Sequence, residues 1–574
     1  MHVVRRGFAL ESTLLLLVLF GALIGVATAA IAVYTRTSGV DVKASRVAYA
    51  AEGAGDQIMS QLDAAMADGI ITPGDISSLT PPVLPGFSFT QETAIVGAPV
   101  NRIITRGAFA GLYALEQPMS VRINAHDATQ NRAAIELGVS VQSVPIFQFG
   151  VFYDRDLEIN NGPPMTFAGW VHSNRHLYMS SANANYMNQI TSADSVFWSR
   201  KDAAITLAGI RIANNASVLT PLDFDSRSHP GATFVARSNL RFNGRLKSRV
   251  SGVRPLRLPL PGGMDPVELV LPAQGGDSPD VAAVRMANKA DLRIVVNVAN
   301  PLADICAEAT FIRAAGRTPL GAACPLVFQF TRNAFWDGRE MKRPDVLELD
   351  LAQLRNFVNV NPADRQVSII YVEFQGRDST VALRDYPALR IRNGAQLPDP
   401  SAPGEPGGLT VTTNAAMYVR GNYNTVNWKP AALIGDVVTF QSNAWNDATS
   451  TTYPRSMATA TSVWAALLAG NSETPCDARV CGGPQQYGGG LENFPRFLEN
   501  WSGVPMNYTG SLVSLFVSRQ SSGVWGHNLN GGRPYYNPPN RNWSFETRFQ
   551  NPMLLPPGTP RLGSVLQISY RNVF

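Results

Sequence analysis

Apolar and polar positions recur with three different periods along this chain, and each period predicts a different element. From Ser12 to Thr35 no charged residue interrupts a run of Leu, Ala, Val and Ile, which is enough helix to cross a hydrocarbon layer of about 30 Å. The pattern predicts a transmembrane helix over 8–35. From Asp41 to Asp68 there is no proline, and Val47, Ala51, Ala54, Ile58, Leu62 and Met66 recur every three or four residues. That spacing draws one apolar stripe on an amphipathic helix, predicting that the helix extends over 36–72 until Gly69 and Pro73-Gly74 stop it.

The period then changes to two. Ser120-Val121-Arg122-Ile123-Asn124 and Leu137-Gly138-Val139-Ser140-Val141 read as half-buried strands, predicting a small β layer over 73–145 packed near the helix. From Ile146 onward the strands shorten to three to five alternating residues closed by Asn or Gly, as in Ile210-Arg211-Ile212-Ala213-Asn214-Asn215, Leu240-Arg241-Phe242-Asn243-Gly244 and Met417-Tyr418-Val419-Arg420-Gly421-Asn422. Asn and Gly tolerate the left-handed backbone of a sharp corner. Very short strands with repeated corners are what a parallel β-helix or other β-solenoid needs, each coil burying its apolar side on the next. The fold class expected is therefore mainly β behind an N-terminal helix, with a solenoid-like ectodomain over 146–395 and a β-sandwich as the alternative.

A Pro- and Gly-rich stretch over 396–408 reads as a linker or a loop between coils. Beyond it, 409–574 reads as a second β-rich part with insertions: a helix over Ala458–Ala469 around Val463, Trp464, Leu467 and Leu468, and a Gly-rich excursion from Cys476 to Gly490. Tyr535-Tyr536-Asn537-Pro538-Pro539 and Leu555-Pro556-Pro557-Gly558 read as extended segments that shield the last coil.

Composition narrows the class. Of 574 residues, 45% are apolar and only 16% charged, enough to bury a core and too apolar for a disordered chain. With 48 Gly and 40 Pro, the balance suits a turn-rich extracytoplasmic β protein. The net charge of +5 arises from 48 basic and 43 acidic residues with no block of like charge, so no nucleic-acid partner is expected. Cys306 and Cys324, and Cys476 and Cys481, form two local pairs without a nearby His to complete a zinc site. They read as two loop-stapling disulfides of an oxidising compartment, the alternative being four thiols.

Ahead of the apolar run stands Arg5-Arg6-Gly7-Phe8-Ala9-Leu10-Glu11, and two cations there favour a cytoplasmic N-terminus with the bulk of the chain outside. This leader resembles the class III leader of type IV pilins and their relatives in type II secretion pseudopili. Ala48-Tyr49-Ala50-Ala51-Glu52-Gly53-Ala54 resembles the Ala-Glu-Ala stretch of PilX-type minor pilins. Asp156-Leu157-Glu158-Ile159, Gly162-Pro163-Pro164-Met165 and Gly169-Trp170-Val171-His172-Ser173-Asn174 resemble ectodomains of large PilX-like pilus-assembly proteins. The resemblance implies a leader over 1–7, cut between Gly7 and Phe8 by a prepilin peptidase, and methylation of Phe8. It also implies a membrane-embedded Glu that meets the N-terminus of a neighbouring pilin-like subunit. Here that Glu is Glu11, fourth in the mature chain where the family usually has it fifth. A carboxylate in lipid calls for a positive partner, or else lies at the headgroups. A competing reading is an ordinary secretory signal, with Ala27-Thr28-Ala29 as its cleavage pattern and a mature chain starting near Ala30.

Candidate chemistry in the ectodomain is sparse. Asp154, Asp156 and Glu158 alternate, so a strand would set them on one face about 7 Å apart per step. There they could hold calcium or supply carboxylates to a sugar-cleaving site, or simply form a solvated face opposite Arg155. His172 and His176 would share a face, though zinc would need a further ligand, and no metal site is expected. Trp170 with Asn174, Tyr418 with Asn422 and Tyr423 with Asn424 could stack on sugar rings, or could fill the core and close corners. No Gly-x-Ser-x-Gly elbow, phosphate loop, His-Glu-x-x-His or dinucleotide fingerprint occurs, so no enzyme and no cofactor is expected.

The function expected is a structural subunit of a type IV pilus or type II secretion pseudopilus, held in inner-membrane lipid by a single span. Its ectodomain would lie in the periplasm or on the cell surface in a filament, in a minor, tip or assembly position. The alternative is an anchored or secreted β-helix that binds or cleaves an extracellular polysaccharide.

Overall fold

The computed structural model describes residues 8–65, 71–203, 205–214, 218–261, 264–298, 305–308, 310–313, 316–375, 386–398, 407–476, 487–523, 525 and 534–573. One helix, Phe8–Ala65, runs unbroken for 58 residues, about 87 Å at 1.5 Å per residue. Its halves differ in what covers them. From Thr13 to Thr35 it is long and apolar enough to cross a membrane, and none of it is buried by the rest of the chain. In the second half Val47, Ala51, Ala54, Ile58 and Leu62 are buried, the stripe that the spacing predicts. The helix is described as far as Ala65, and the predicted stop at Gly69, with Met66 before it, lies outside the described residues. Pro73 opens a separate short helix, Pro73–Ser78, whose capping box pairs Thr72 with Asp75, so it starts an element where the sequence suggests a stop.

The apolar stripe is covered by an antiparallel sheet with the strand order Phe87–Ile95, Tyr113–Asp127, Arg132–Pro145, Arg561–Asn572, and with Val100–Ile103 added beside Tyr113–Asp127. Alternate residues Val121, Ile123, Ile135, Leu137, Val139 and Val141 point at the helix. A Cβ on Gly55 would stand 3.1 Å from Ile135 Cδ1 and 3.2 Å from Leu137 Cδ1, so glycine lets helix and sheet approach this closely. The fourth strand comes from the C-terminal segment: Arg561–Asn572 returns to pair with Arg132–Pro145, and Tyr570 Oη donates to Glu52 Oε1 at 3.0 Å.

Between these strands the chain builds mainly parallel ladders. In one 11-stranded sheet, Phe149–Tyr153, Trp170–Ser173, Ile190–Ser192 and Leu246–Lys247 lie side by side in parallel. The later strands Leu292–Asn297, Ile369–Gln375, Leu409–Thr413, Ala431–Gly435, Ala466–Asn471 and Leu512–Val517 do the same. The two series join where Leu512–Val517 pairs with Phe149–Tyr153. A second sheet stacks Asp345–Asp350, Pro387–Arg392, Ala416–Arg420, Val437–Gln441 and Pro495–Phe497 in parallel. A third stacks Thr461–Trp464, Pro505–Gly510 and Asn540–Phe545. Strands covered on both faces read as continuous apolar runs, and those in the large sheet are almost entirely buried. Asn333, Asn393, Asn424 and Asn427 have positive φ, the backbone preference on which the corner reading rests. Leu240-Arg241-Phe242 is not a strand: it ends the helix Ala232–Phe242, and Asn243 is that helix's left-handed C-cap, because an αL residue stops a helix as readily as it turns a strand.

The segment Ala458–Ala469 is not a helix: Thr461–Trp464 and Ala466–Asn471 are strands. Ala465, Ala466, Leu467, Leu468 and Ala469 are all buried, so sheets on both sides outweigh the weak helix preference of an Ala- and Leu-rich run. Residues 399–406 lie outside the described residues, and at Leu409 the chain enters the same large sheet that 146–395 supplies. Cys306 and Cys324 form a disulfide. Cys476 is also disulfide-bonded, and Cys481 lies outside the described residues.

Candidate functional site

The bare apolar half of the N-terminal helix is the largest exposed hydrophobic feature of the described chain, with Leu14 to Leu19 and Ile24, Val26, Ile31 and Val33 all exposed. Gly7 lies outside the described residues, and Phe8 and Glu11 belong to the first turn of the helix.

The three alternating carboxylates do not share a strand face. Phe149–Tyr153 ends before Asp154, and a corner carries the chain to Leu157–Ile159, so the residues turn toward different partners. Asp154 accepts from Asn174 Nδ2 at 2.6 Å, with its pKa raised by burial. Asp156 lies 3.0 Å from Lys201 Nζ in a buried ion pair. Glu158 is buried rather than solvated, and desolvation lifts its pKa to about 7 against the opposing effects of Thr474 and Lys201. A shared calcium or sugar-cleaving face is therefore not formed by these three, and no group of described His, Cys, Asp and Glu residues is arranged to hold a metal ion.

Glu158 has a neighbour that sequence reasoning missed. Glu492, fully buried, accepts from Tyr487 Oη at 2.8 Å and from the Asn160 amide at 3.3 Å, and burial raises its pKa. Its charge also raises that of Glu158. Over three hundred residues separate the two, and they meet where the two series of parallel strands join. No local motif announces such a pair.

The histidines also diverge. His172 is buried. Its Nε2 donates to Asn174 Oδ1 at 2.8 Å, and its Nδ1 accepts from Thr191 Oγ1 at 2.7 Å. Phe109, Phe149 and Phe152 pack around the ring, and burial depresses its pKa to about 4, leaving it neutral near pH 7. His176 lies past the strand end with Nδ1 3.6 Å from Asp194 Oδ2. The shared face proposed for the two does not form.

Trp170, Tyr418 and Tyr423 are buried, so these aromatics fill the core instead of presenting a stacking surface. Asn174 and Asn424 hold corners, Asn424 by bonds to the carbonyls of Lys429 and Trp464. Asn422 alone of the three amides lines an open cavity, of about 620 Å³, together with Arg355, Arg392, Arg420 and Asn443. Sequence reading missed these arginines because chain stacking, not sequence proximity, assembles them. The available signal is that Arg392 and Arg420 each close a strand. No family model, no curated protein and no solved structure matches the chain.

Proposed function

We propose that this chain is an exported structural subunit of the type IV pilus or type II secretion pseudopilus kind, held in the inner membrane by a single span and built into a filament in a minor, tip or assembly position. One observation carries the reading: a single continuous helix whose distal half is clasped by the chain's own sheet while the 23 residues from Thr13 to Thr35 have no cover from it. So long an apolar rod demands an apolar environment. Lipid supplies that before assembly, and neighbouring helices of the same kind supply it in a filament core. The ectodomain is read as a parallel β-solenoid, on the support of its stacked parallel ladders and Asn corners. Helices in a bundle pack 8–10 Å apart, whereas this ectodomain occupies most of a 574-residue chain. Such bulk fits an end or occasional position better than a repeating one.

The test is the mature N-terminus of the exported protein, by intact mass and N-terminal sequencing. The expected chain begins at a methylated Phe8, and Gly7→Val leaves the leader attached. A mature chain starting near Ala30, with the apolar rod removed, overturns the filament reading.

A further inference from the structure

The second parallel sheet aligns its strands so that residues at one register position form a row along the stack. Asp350 stands opposite Arg392, Ile391 opposite Val419, and Arg420 opposite Gln441. Arg392 and Arg420 therefore end neighbouring strands, about 4.8 Å apart in the stacking direction. Beyond these strand ends lies the cavity of about 620 Å³. Arg355 reaches it from the helix Leu351–Val360, and amides arrive from successive levels at Asn393, Asn422 and Asn443.

The lining contains three guanidinium groups and no carboxylate. Two of the three are committed. Arg392 Nε lies 3.1 Å from Glu348 and 3.4 Å from Asp350, and Arg355 Nη1 donates to the Gln396 carbonyl at 2.8 Å. Arg420 is half-buried and lacks a hydrogen bond or ion pair among the described residues, its nearest electrostatic neighbours being Asp447 and Glu499. Asn422 Oδ1 accepts from the Ser462 amide at 2.9 Å and Asn393 Nδ2 donates to Asp350 Oδ2 at 2.7 Å, so the Asn422 Nδ2 donor and the Asn393 Oδ1 acceptor are the amide groups these two bonds do not use. Val426, 48% exposed, adds an apolar patch to the same wall.

We infer that this cavity is a binding site for a carboxylate-bearing saccharide, in which Arg420 grips the carboxylate and the Asn393, Asn422 and Asn443 amides bind ring hydroxyls. A guanidinium matches a carboxylate with two parallel donors. Amides on neighbouring levels offer hydroxyl partners at repeated spacing, and a methyl surface suits the apolar face of a sugar ring. The row extends over three coils, roughly 10 Å at two steps of the stack, longer than a simple anion spans. The inference concerns an activity separate from filament assembly and does not depend on how the N-terminus is processed.

The probe is a trigalacturonate titrated calorimetrically into the detergent-solubilised full chain. Saturable binding is expected, weakening as salt is raised. Arg420→Gln should reduce affinity about tenfold or more, the loss of one charge-assisted contact. Arg420→Lys should fall between the two, because it keeps the charge and loses the fork. Arg122→Gln, in a separate cavity beside His126 and Arg132, should leave binding within about threefold of the unaltered chain. The inference is overturned if Arg420→Gln binds as tightly as the unaltered chain. It is overturned equally if neutral maltotriose binds as well as the uronate, or if prior addition of acetate at matched carboxylate concentration abolishes the heat of trigalacturonate binding.

Discussion

Ser511 donates its hydroxyl to the backbone carbonyl of Phe149 at 2.6 Å across a sequence separation of 362 residues. The next residue, Leu512, stands in parallel register with Val151. One ladder thus joins the first strands of the ectodomain to some of its last. Such pairing must be closed over a long loop before it is rewarded, so the join depends on side chains that fit with little tolerance.

Gly150 and Gly169 lie against each other next to this join. A Cβ on Gly169 would stand 2.7 Å from Gly150 Cα and 2.7 Å from Phe545 Cγ. Gly169→Ala is therefore expected to destabilise by about 1–3 kcal/mol through overpacking, read as a lower urea midpoint. Gly162→Ala, whose added Cβ would meet nothing within 4 Å, should leave the midpoint nearly unchanged. Equal midpoints for the two variants would show that the stacked glycines do not limit the packing.

Glu158 sets a pH dependence. Its folded pKa, about 7, lies above the ordinary 4.5, so between those values the folded chain keeps a proton that the unfolded chain has lost. Stability from this group is present below about pH 4.5 and falls as pH rises toward 7. Glu158→Gln retains the neutral form, so it should stabilise the protein by about 2–4 kcal/mol at pH 7.5 and by much less at pH 4.5. His172 contributes with the opposite sign, its folded pKa of about 4 lying below 6.5. The informative quantity is accordingly the difference between variant and unaltered unfolding free energies across pH. A difference that stays constant from pH 4.5 to 7.5 would refute the assignment.

The disulfide between Cys306 and Cys324 closes a separation of 18 residues. Loop-closure entropy for a loop of that size is about 3 kcal/mol. Replacing both cysteines with serine should lower unfolding free energy by about that amount, measured by urea denaturation under oxidising conditions. Replacing only Cys324 breaks the same bond and places the same hydroxyl at a site 5% exposed, so the single variant should lose about as much as the double one.

Particular residues show where sequence reasoning reaches its limit. Val47, Ala51, Ala54, Ile58 and Leu62 announce a buried helix face because helical contacts repeat every three or four residues, and these residues are buried. Asn424 likewise announces a corner through its own backbone preference, and it has positive φ. Val463 and Leu467 mislead because a short apolar run carries no record of what will cover it, and here sheets cover both sides. Asp154, Asp156 and Glu158 mislead for a related reason. Alternation predicts a common face only if the strand continues, and this one ends at Tyr153.

The amino-acid order alone determined the membrane-length apolar helix, its amphipathic continuation and a chain of very short strands closed by Asn and Gly, since each arises from neighbours within a few residues. Tertiary structure decided that Leu512 lies beside Val151, that Arg561–Asn572 returns to Arg132–Pro145, that Glu158 meets Glu492 and that Arg392, Arg420 and Asn443 share a cavity. Those relationships join residues far apart in the chain. Their stability comes from burying both sides at once, a collective gain that no local pattern encodes.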